Sequence, residues 1–179
     1  MIALHIAPLT LQDAASACFP NEPFPMIGRL LPVFSDSTWQ YTEELLVAPG
    51  EKRYPDDNYN PLEFIDAEEK TMLVAYDQRT VAGRIVCSRK WNHFCFVEEI
   101  AVRQTYRGQG VGSALLAAAQ AWAQAHHMPG FMLETQDVNL LACRFYIKQG
   151  FSLGAVDTHL YDLTPSKGEL ALFWYKMFA

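Results

Sequence analysis

The middle of the chain alternates apolar runs with short polar breaks at strand length. Thr71-Met-Leu-Val-Ala-Tyr76 and Val81-Ala-Gly-Arg-Ile-Val-Cys87 flank Asp77-Gln-Arg-Thr80, which predicts a hairpin. A polar loop at Arg89–His93 leads into a third apolar run, Phe94–Val102. Three strands on short loops predict an antiparallel meander. The period then changes to that of a helix, from about Gly112 to His127, with Val111, Leu115, Ala118 and Trp122 on one stripe and Pro129-Gly130 as the stop. Phe131–Gln136 is a buried strand, and Asn139–Lys148 a short helix ended by Gly150. Two more strands are expected near Phe151–Tyr161 and Glu169–Met177, the second apolar on both faces and so interior to its sheet.

The first seventy residues are less regular. Leu4–Leu9 has strand character, and Thr10–Asp13 is placed to cap a helix through Ala14, Ala15 and Ala17. Pro20, Pro23, Pro25 and Pro32 break up a stretch carrying Phe19, Phe24, Met26, Leu30 and Leu31, which predicts a loop or broken helix with apolar anchors. Thr38–Val47 favours a strand through Trp39, Tyr41 and Thr42, while Glu43-Glu44-Leu-Leu keeps a helix open. Gly50–Glu69 is polar and acidic, and predicts a loop.

The 179 residues are expected to form one domain, residues 1–179, with a substantial core. The formal charge of −6 disfavours nucleic acid and favours a cationic substrate. Cys18, Cys87, Cys95 and Cys143 lack Cys-x-x-Cys spacing, so neither a zinc site nor a disulfide framework is expected. No apolar run approaches about 18 residues and no signal core is evident, so the expectation is a cytoplasmic protein without a membrane partner.

Between Val102 and the long helix stand Arg107-Gly108-Gln109-Gly110-Val111-Gly112. Glycines at a helix start let main-chain N–H groups converge on an anion, so this turn is a candidate phosphate cradle. Val111-Gly112-Ser113 lacks the lysine of a nucleoside-triphosphate loop. A dinucleotide fingerprint would need a third glycine where Ser113 stands. What remains is strand, Arg107-x-x-Gly110-x-Gly112, helix.

In the second half, Glu134 lies in an otherwise apolar strand, so it sits at the strand's end, is hydrogen-bonded, or is functional. Asn139 suits a helix cap. Tyr146 falls two turns later on the same side. Glu98 and Glu99 stand side by side on the central strand, so at most one faces a cleft unless a bulge intervenes. Cys143, on a packed helix, is a core residue rather than a nucleophile.

This order of elements, with Asn139-x-x-Ala142-x-x-Phe145-Tyr146-x-x-x-Gly150-Phe151, resembles the GNAT superfamily of N-acetyltransferases from Thr71 to the C-terminus. Tyr106-Arg107-Gly108-x-Gly110-Val111, Leu133-Glu134-Thr135-Gln136, Ala142-Cys143-x-x-Tyr146 and Ala171-x-x-Trp174-Tyr175 are similar to streptothricin N-acetyltransferases. The resemblance implies an α+β fold, a mixed and mostly antiparallel twisted central sheet flanked by helices. It implies acetyl-CoA as cosubstrate, no metal, and transfer to a primary amine by direct attack in a ternary complex. Backbone groups of Ile100, Ala101 and Val102 would meet the pantetheine and thioester. Amides from Arg107 through Gly108, Gln109, Gly110, Val111 and Gly112 to Ser113 would hold the pyrophosphate, and Asn139 and Tyr146 the arm of the cofactor. Tyr146 matches the tyrosine that protonates the departing thiolate, and Glu134 a glutamate used as base.

A substrate ammonium with a pKa of about 10 must lose a proton before it attacks, so a carboxylate base is needed, and Glu99 and Glu134 both remain open. The amide of Val102 is the natural donor to the developing oxyanion. The acceptor expected is a small cationic amine such as streptothricin, with a protein amine or an aminoglycoside as alternatives and a non-catalytic acyl-CoA sensor as an alternative of another class. A homodimer is the other partner expectation.

Overall fold

The structure, a computed structural model, describes residues 4–179. It divides into two compact units. The first comprises residues up to Glu22, Tyr54–Phe131 and the last two residues; the second comprises Pro23–Arg53 and Met132–Met177.

In the first unit the strands lie in the order β1 (Leu4–Pro8), β4 (Lys70–Asp77), β5 (Thr80–Arg89) and β6 (Cys95–Val102). All three pairings are antiparallel; β4–β5 and β5–β6 are the predicted meander, and β1 adds a fourth strand beside β4. Asp77 pairs Thr80 across a two-residue turn in which Gln78 takes a φ of 55°. Met72, Val74, Ile85 and Val86 are wholly buried between these strands and their coverings. Register along β5–β6 slips where Val86 faces Glu99 and Cys87 faces Val97, so Glu98 is an extra residue that bulges the strand.

Helix α2 (Val111–Ala125) packs on this sheet through Val111, Leu115, Leu116, Ala119 and Ala123. The expected stripe is therefore rotated. Ala118 and Trp122 are only half-buried, and the Trp122 ring lies 4.7 Å from that of His126. Small alanines let the helix approach closely, and the branched side chains set the face. Helix α1 (Ala14–Ala17) is a single turn. Thr10 Oγ1 bonds Asp13 Oδ2 at 2.7 Å, so Asp13 spends its side chain there and does not cap the helix.

The second unit contains, in sheet order, the part of β7 (Gly130–Gln136) from Met132 on, β9 (Ala171–Met177) and β8 (Ser152–Asp157), with β9 interior as its apolar faces predicted. Helix α3 (Leu140–Lys148) follows β7, capped by Asn139, whose Oδ1 accepts from the Ala142 N–H at 3.2 Å. Gly150 ends this segment at a φ of 84°.

The proline-broken stretch is the main departure from expectation. Phe24–Ser35 is a strand, β2, paired antiparallel with β3 (Thr38–Lys52) as a separate two-stranded sheet. Among the described residues each strand has the other as its only ladder partner, so Pro25 and Pro32 are tolerated as on any edge strand. Asp36 and Ser37 both take positive φ in the connecting turn, the conformation that matches the twist of a tight hairpin. The strand reading of Thr38–Val47 holds and the helix reading falls. The acidic segment is a loop only beyond Lys52, apart from one helical turn at Pro61–Glu63.

Together the two units give the expected α+β fold.

Candidate active site

In the first unit the chain leaves β6 at Val102, makes one turn at Gln104–Tyr106 and enters α2 through Gly108 and Gly110, at φ of 75° and 86°. Arg107 braces this turn from below. Its Nε donates to the Val102 carbonyl at 3.0 Å and its Nη2 to the Glu22 carbonyl at 3.2 Å. No side chain caps α2. Among the described residues, the main-chain N–H groups of Gly108, Gln109, Gly110, Val111 and Gly112 donate to no protein acceptor. The positive helix end thus presents a run of unspent donors, which fits the diphosphate of an acyl-CoA. A Cβ at Gly108 or Gly110 would meet nothing within 4 Å, so these glycines serve conformation rather than clearance.

Of the carboxylates on β6, Glu98 turns to Lys90 Nζ at 2.5 Å and to Ser88, both on the surface side. Glu99 meets Arg84 in a paired fork, Nε to Oε2 at 2.6 Å and Nη2 to Oε1 at 2.8 Å. Arg84 is itself buried and donates to the carbonyls of Ala17 and Phe19 at 3.0 and 2.6 Å. Its Cζ lies over the Phe19 ring, 4.5 Å from the ring centroid. Both oxygens of Glu99 are thereby engaged. Sequence inspection did not single out Arg84, although a guanidinium inside Val81–Cys87, an otherwise apolar run, was the available signal.

The acidic loop is largely occupied with its own packing. Asp56 Oδ1 accepts from the Asn21 N–H at 2.7 Å, Glu63 pairs Lys70 at 2.6 Å, and Glu69 pairs Arg89 at 2.7 Å. Tyr59 packs edge-on against Phe64, and burial, followed by the nearby Glu99 and Asp57 charges, raises its phenol well above the usual range.

In the second unit Glu134 accepts a hydrogen bond from the Tyr161 hydroxyl. Burial raises its carboxyl above the ordinary range, with the Tyr161 bond pulling the other way. Tyr161 lies in the segment between β8 and β9 and was not anticipated from the sequence. Tyr146 is 6 % exposed on the buried face of α3 with Leu140 and Cys143, its ring edge-on to Phe151 at 5.6 Å. Burial pushes the Cys143 thiol up to about 12, and its Sγ lies 3.8 Å from the Gln136 carbonyl, so it stays a core thiol.

Of the other sequence-selected residues, Ile100, Ala101 and Val102 lie half-buried in the β6 ladder against β5, and Ser113 is half-buried in the first turn of α2. Among the described residues no three His, Cys, Asp or Glu side chains are grouped to hold a metal. No described helix is long and apolar enough to cross a membrane.

Comparison with known proteins supplies the identity. Residues 37–151 match the family described as acetyltransferase (GNAT) family. The chain belongs to that family. It is an acetyl-CoA-dependent N-acetyltransferase, an acyltransferase that moves acetyl to an amine. It is 45% identical over 159 residues to streptothricin acetyltransferase A of Bacillus subtilis (strain 168), covering 89% of this chain and 91% of that protein. Among solved structures, a Bacillus anthracis str. Ames protein assigned as a streptothricin acetyltransferase, in complex with acetyl coenzyme A, superposes with a TM-score of 0.90 at 35% identity, covering 98% of this chain and 100% of that one. Nourseothricin acetyltransferase superposes with a TM-score of 0.82 at 29% identity, covering 98% of each chain. The GNAT resemblance and the α+β fold are thus both shown.

Proposed function

We propose that residues 1–179 act as one acetyltransferase domain whose acceptor is a primary amine of a streptothricin-type antibiotic. The observation that carries this reading is the likeness to the acetyl-CoA-bound streptothricin acetyltransferase, which spans 98% of the chain and so includes the β2–β3 hairpin as well as the GNAT segment. Resistance to that class of drug by acetylation would follow. Cytoplasmic action fits the four free thiols of Cys18, Cys87, Cys95 and Cys143.

The division of labour is the one that the GNAT resemblance implies. The amides of Gly108–Gly112, with Arg107 beneath and Ser113 beside them, hold the diphosphate of acetyl-CoA. Asn139 and Tyr146 hold its arm, and Ile100, Ala101 and Val102 align it by main-chain hydrogen bonds. When bound, the cosubstrate supplies an activated acetyl thioester.

Glu134 takes the proton that the attacking amine must lose. A raised carboxyl pKa brings it closer to neutrality, where a base is most effective. Glu99, with both oxygens held by Arg84, is the weaker claimant and serves to order the first unit. The Val102 N–H donates to the carbonyl oxygen as charge develops there. The carbon–nitrogen bond forms, the carbon–sulfur bond breaks, and Tyr146 gives its hydroxyl proton to the departing thiolate.

The test is thiol release by purified protein with acetyl-CoA and streptothricin, followed by mass measurement of the product. A gain of one acetyl group on the drug is expected. No release with streptothricin, alongside release with an aminoglycoside or a protein N-terminus, would move the acceptor to those alternatives. Tyr146→Phe should lower kcat by at least about tenfold with little change in KM for acetyl-CoA.

A further inference from the structure

One face of β7 carries polar groups that the roles above do not exhaust. Glu134 and Gln136 are two residues apart on the strand and therefore project to the same side, separated by about 7 Å. Glu134 Oε1 is taken by Tyr161, whereas Oε2 accepts from no described residue. Gln136 is only 8 % exposed. Its Nε2 donates to Ser166 Oγ at 3.1 Å, and the same oxygen accepts from Lys52 Nζ at 3.2 Å. Ser166 Oγ thus accepts from both the Gln136 amide nitrogen and the Lys52 ammonium, one on each lone pair.

The far oxygen of that amide, Gln136 Oε1, is buried and meets no donor among the described residues. A buried acceptor left unmet forfeits its hydration with nothing in return. The surroundings hold it in place all the same. Glu169 grips Lys52 at 2.5 and 2.6 Å, and Thr164 Oγ1 accepts from the Ser166 N–H at 3.1 Å while itself donating to the Tyr161 carbonyl at 2.9 Å. The segment that supplies Tyr161 to Glu134 is therefore the one that orients Gln136.

We infer that Gln136 is a specificity-determining residue, whose Oε1 accepts a hydrogen bond from a second N–H group of the acceptor while the reacting amine lies at Glu134. The site then takes an acceptor of diamine character, with two nitrogens spaced along β7. A glutamine suits this position better than a carboxylate, since it accepts from an ammonium or an amide without burying a second negative charge beside Glu134. The inference rests on the amine-transfer reading above and adds to it the chemistry of the group next to the reacting one.

The experiment compares wild type, Gln136→Leu and Gln136→Glu at saturating acetyl-CoA. Streptothricin is the acceptor, and pentane-1,5-diamine and pentylamine are competitors. In the wild type, pentane-1,5-diamine should compete at a concentration about tenfold or more below pentylamine. Gln136→Leu should erase that advantage and raise KM for streptothricin about tenfold, with kcat within about twofold. Gln136→Glu should lower the concentration at which the diamine competes.

An unchanged KM and an unchanged competitor ratio in Gln136→Leu would overturn the inference, and point to a buried water as the partner of Oε1. If Gln136→Leu fails to fold, equal competition by the two amines in the wild type overturns it equally. Failure of the underlying reading looks different: the wild type itself would release no thiol with streptothricin.

Discussion

Arg84 and Glu99 meet in two parallel hydrogen bonds inside the first unit, and Nη1 of the guanidinium donates to the carbonyls that end α1 and start the next loop. The pair joins β5, β6 and the α1 segment at one point. Removing one partner leaves the other buried and uncompensated. Arg84→Met should therefore destabilise the protein by about 3–5 kcal/mol, measured by urea unfolding. Arg84→Met combined with Glu99→Leu should recover much of that loss. If the double variant is no more stable than the single one, the charge pair is not what holds this corner.

The Glu134 carboxyl makes stability and rate both depend on pH. Burial holds its pKa above the ordinary value in the folded protein. Between the unfolded and folded values the native state binds more protons, so the stability it contributes is fully present below the unfolded pKa and falls as pH rises through the folded one. Glu134→Gln should flatten that fall in a series of thermal melts. The Tyr161 hydrogen bond lowers the pKa, so Tyr161→Phe should move the fall to higher pH. In kcat/KM the ionised base is the active form, and the rising limb should move the same way. A limb unmoved by Tyr161→Phe would detach Glu134 from the reaction.

Gly110 offers a test of the phosphate cradle that leaves its surface untouched. A methyl group there touches nothing, yet the φ of 86° is one that residues with a Cβ rarely adopt. Gly110→Ala is expected to cost about 1–2 kcal/mol, either as lost stability or as a loop relaxed away from the diphosphate. The KM for acetyl-CoA should rise several-fold while that for the amine stays level. A variant with unaltered KM and unaltered melting temperature would show that the left-handed turn is dispensable.

How far the chain could be read ahead of the structure depended on whether a signal was local. The β4–β5–β6 meander, the glycine entry to α2 and the Asn139 cap are written in short spans, because a strand period, a left-handed glycine and a cap each need only a few neighbours. The β2 strand was missed because prolines argue against a strand wherever its partners are unknown. Pro25 and Pro32 become acceptable only once β3 is seen to be the sole ladder partner among the described residues. Tyr161 escaped for a similar reason, since it reaches Glu134 across 27 residues of sequence. Glu99 and Glu134 look alike in the chain, and only their partners separate a carboxylate clamped by Arg84 from one with an oxygen to spare.

Asp137 extends the same logic to the turn that carries β7 into α3. It is wholly buried, and its Oδ2 accepts from Arg29 Nε at 2.7 Å and Nη2 at 2.5 Å. Oδ1 accepts from the Leu170 N–H at 2.8 Å, and the main chain of Asp137 exchanges bonds with Leu170 and Leu30. One residue thus joins β2, β7 and the entry to β9, two positions before the Asn139 cap. Arg29 keeps a third of its side chain in water, so the two partners are not equivalent. Arg29→Ala strands a buried carboxylate and should cost about 3 kcal/mol or more. Asp137→Ala leaves a guanidinium that can hydrate, but also an unmet Leu170 N–H, worth about 1–3 kcal/mol. Melting curves should rank Arg29→Ala as the more damaging, and Arg29→Ala combined with Asp137→Asn should recover part of its deficit. A double variant no more stable than Arg29→Ala alone would place the role of Arg29 in packing rather than in charge.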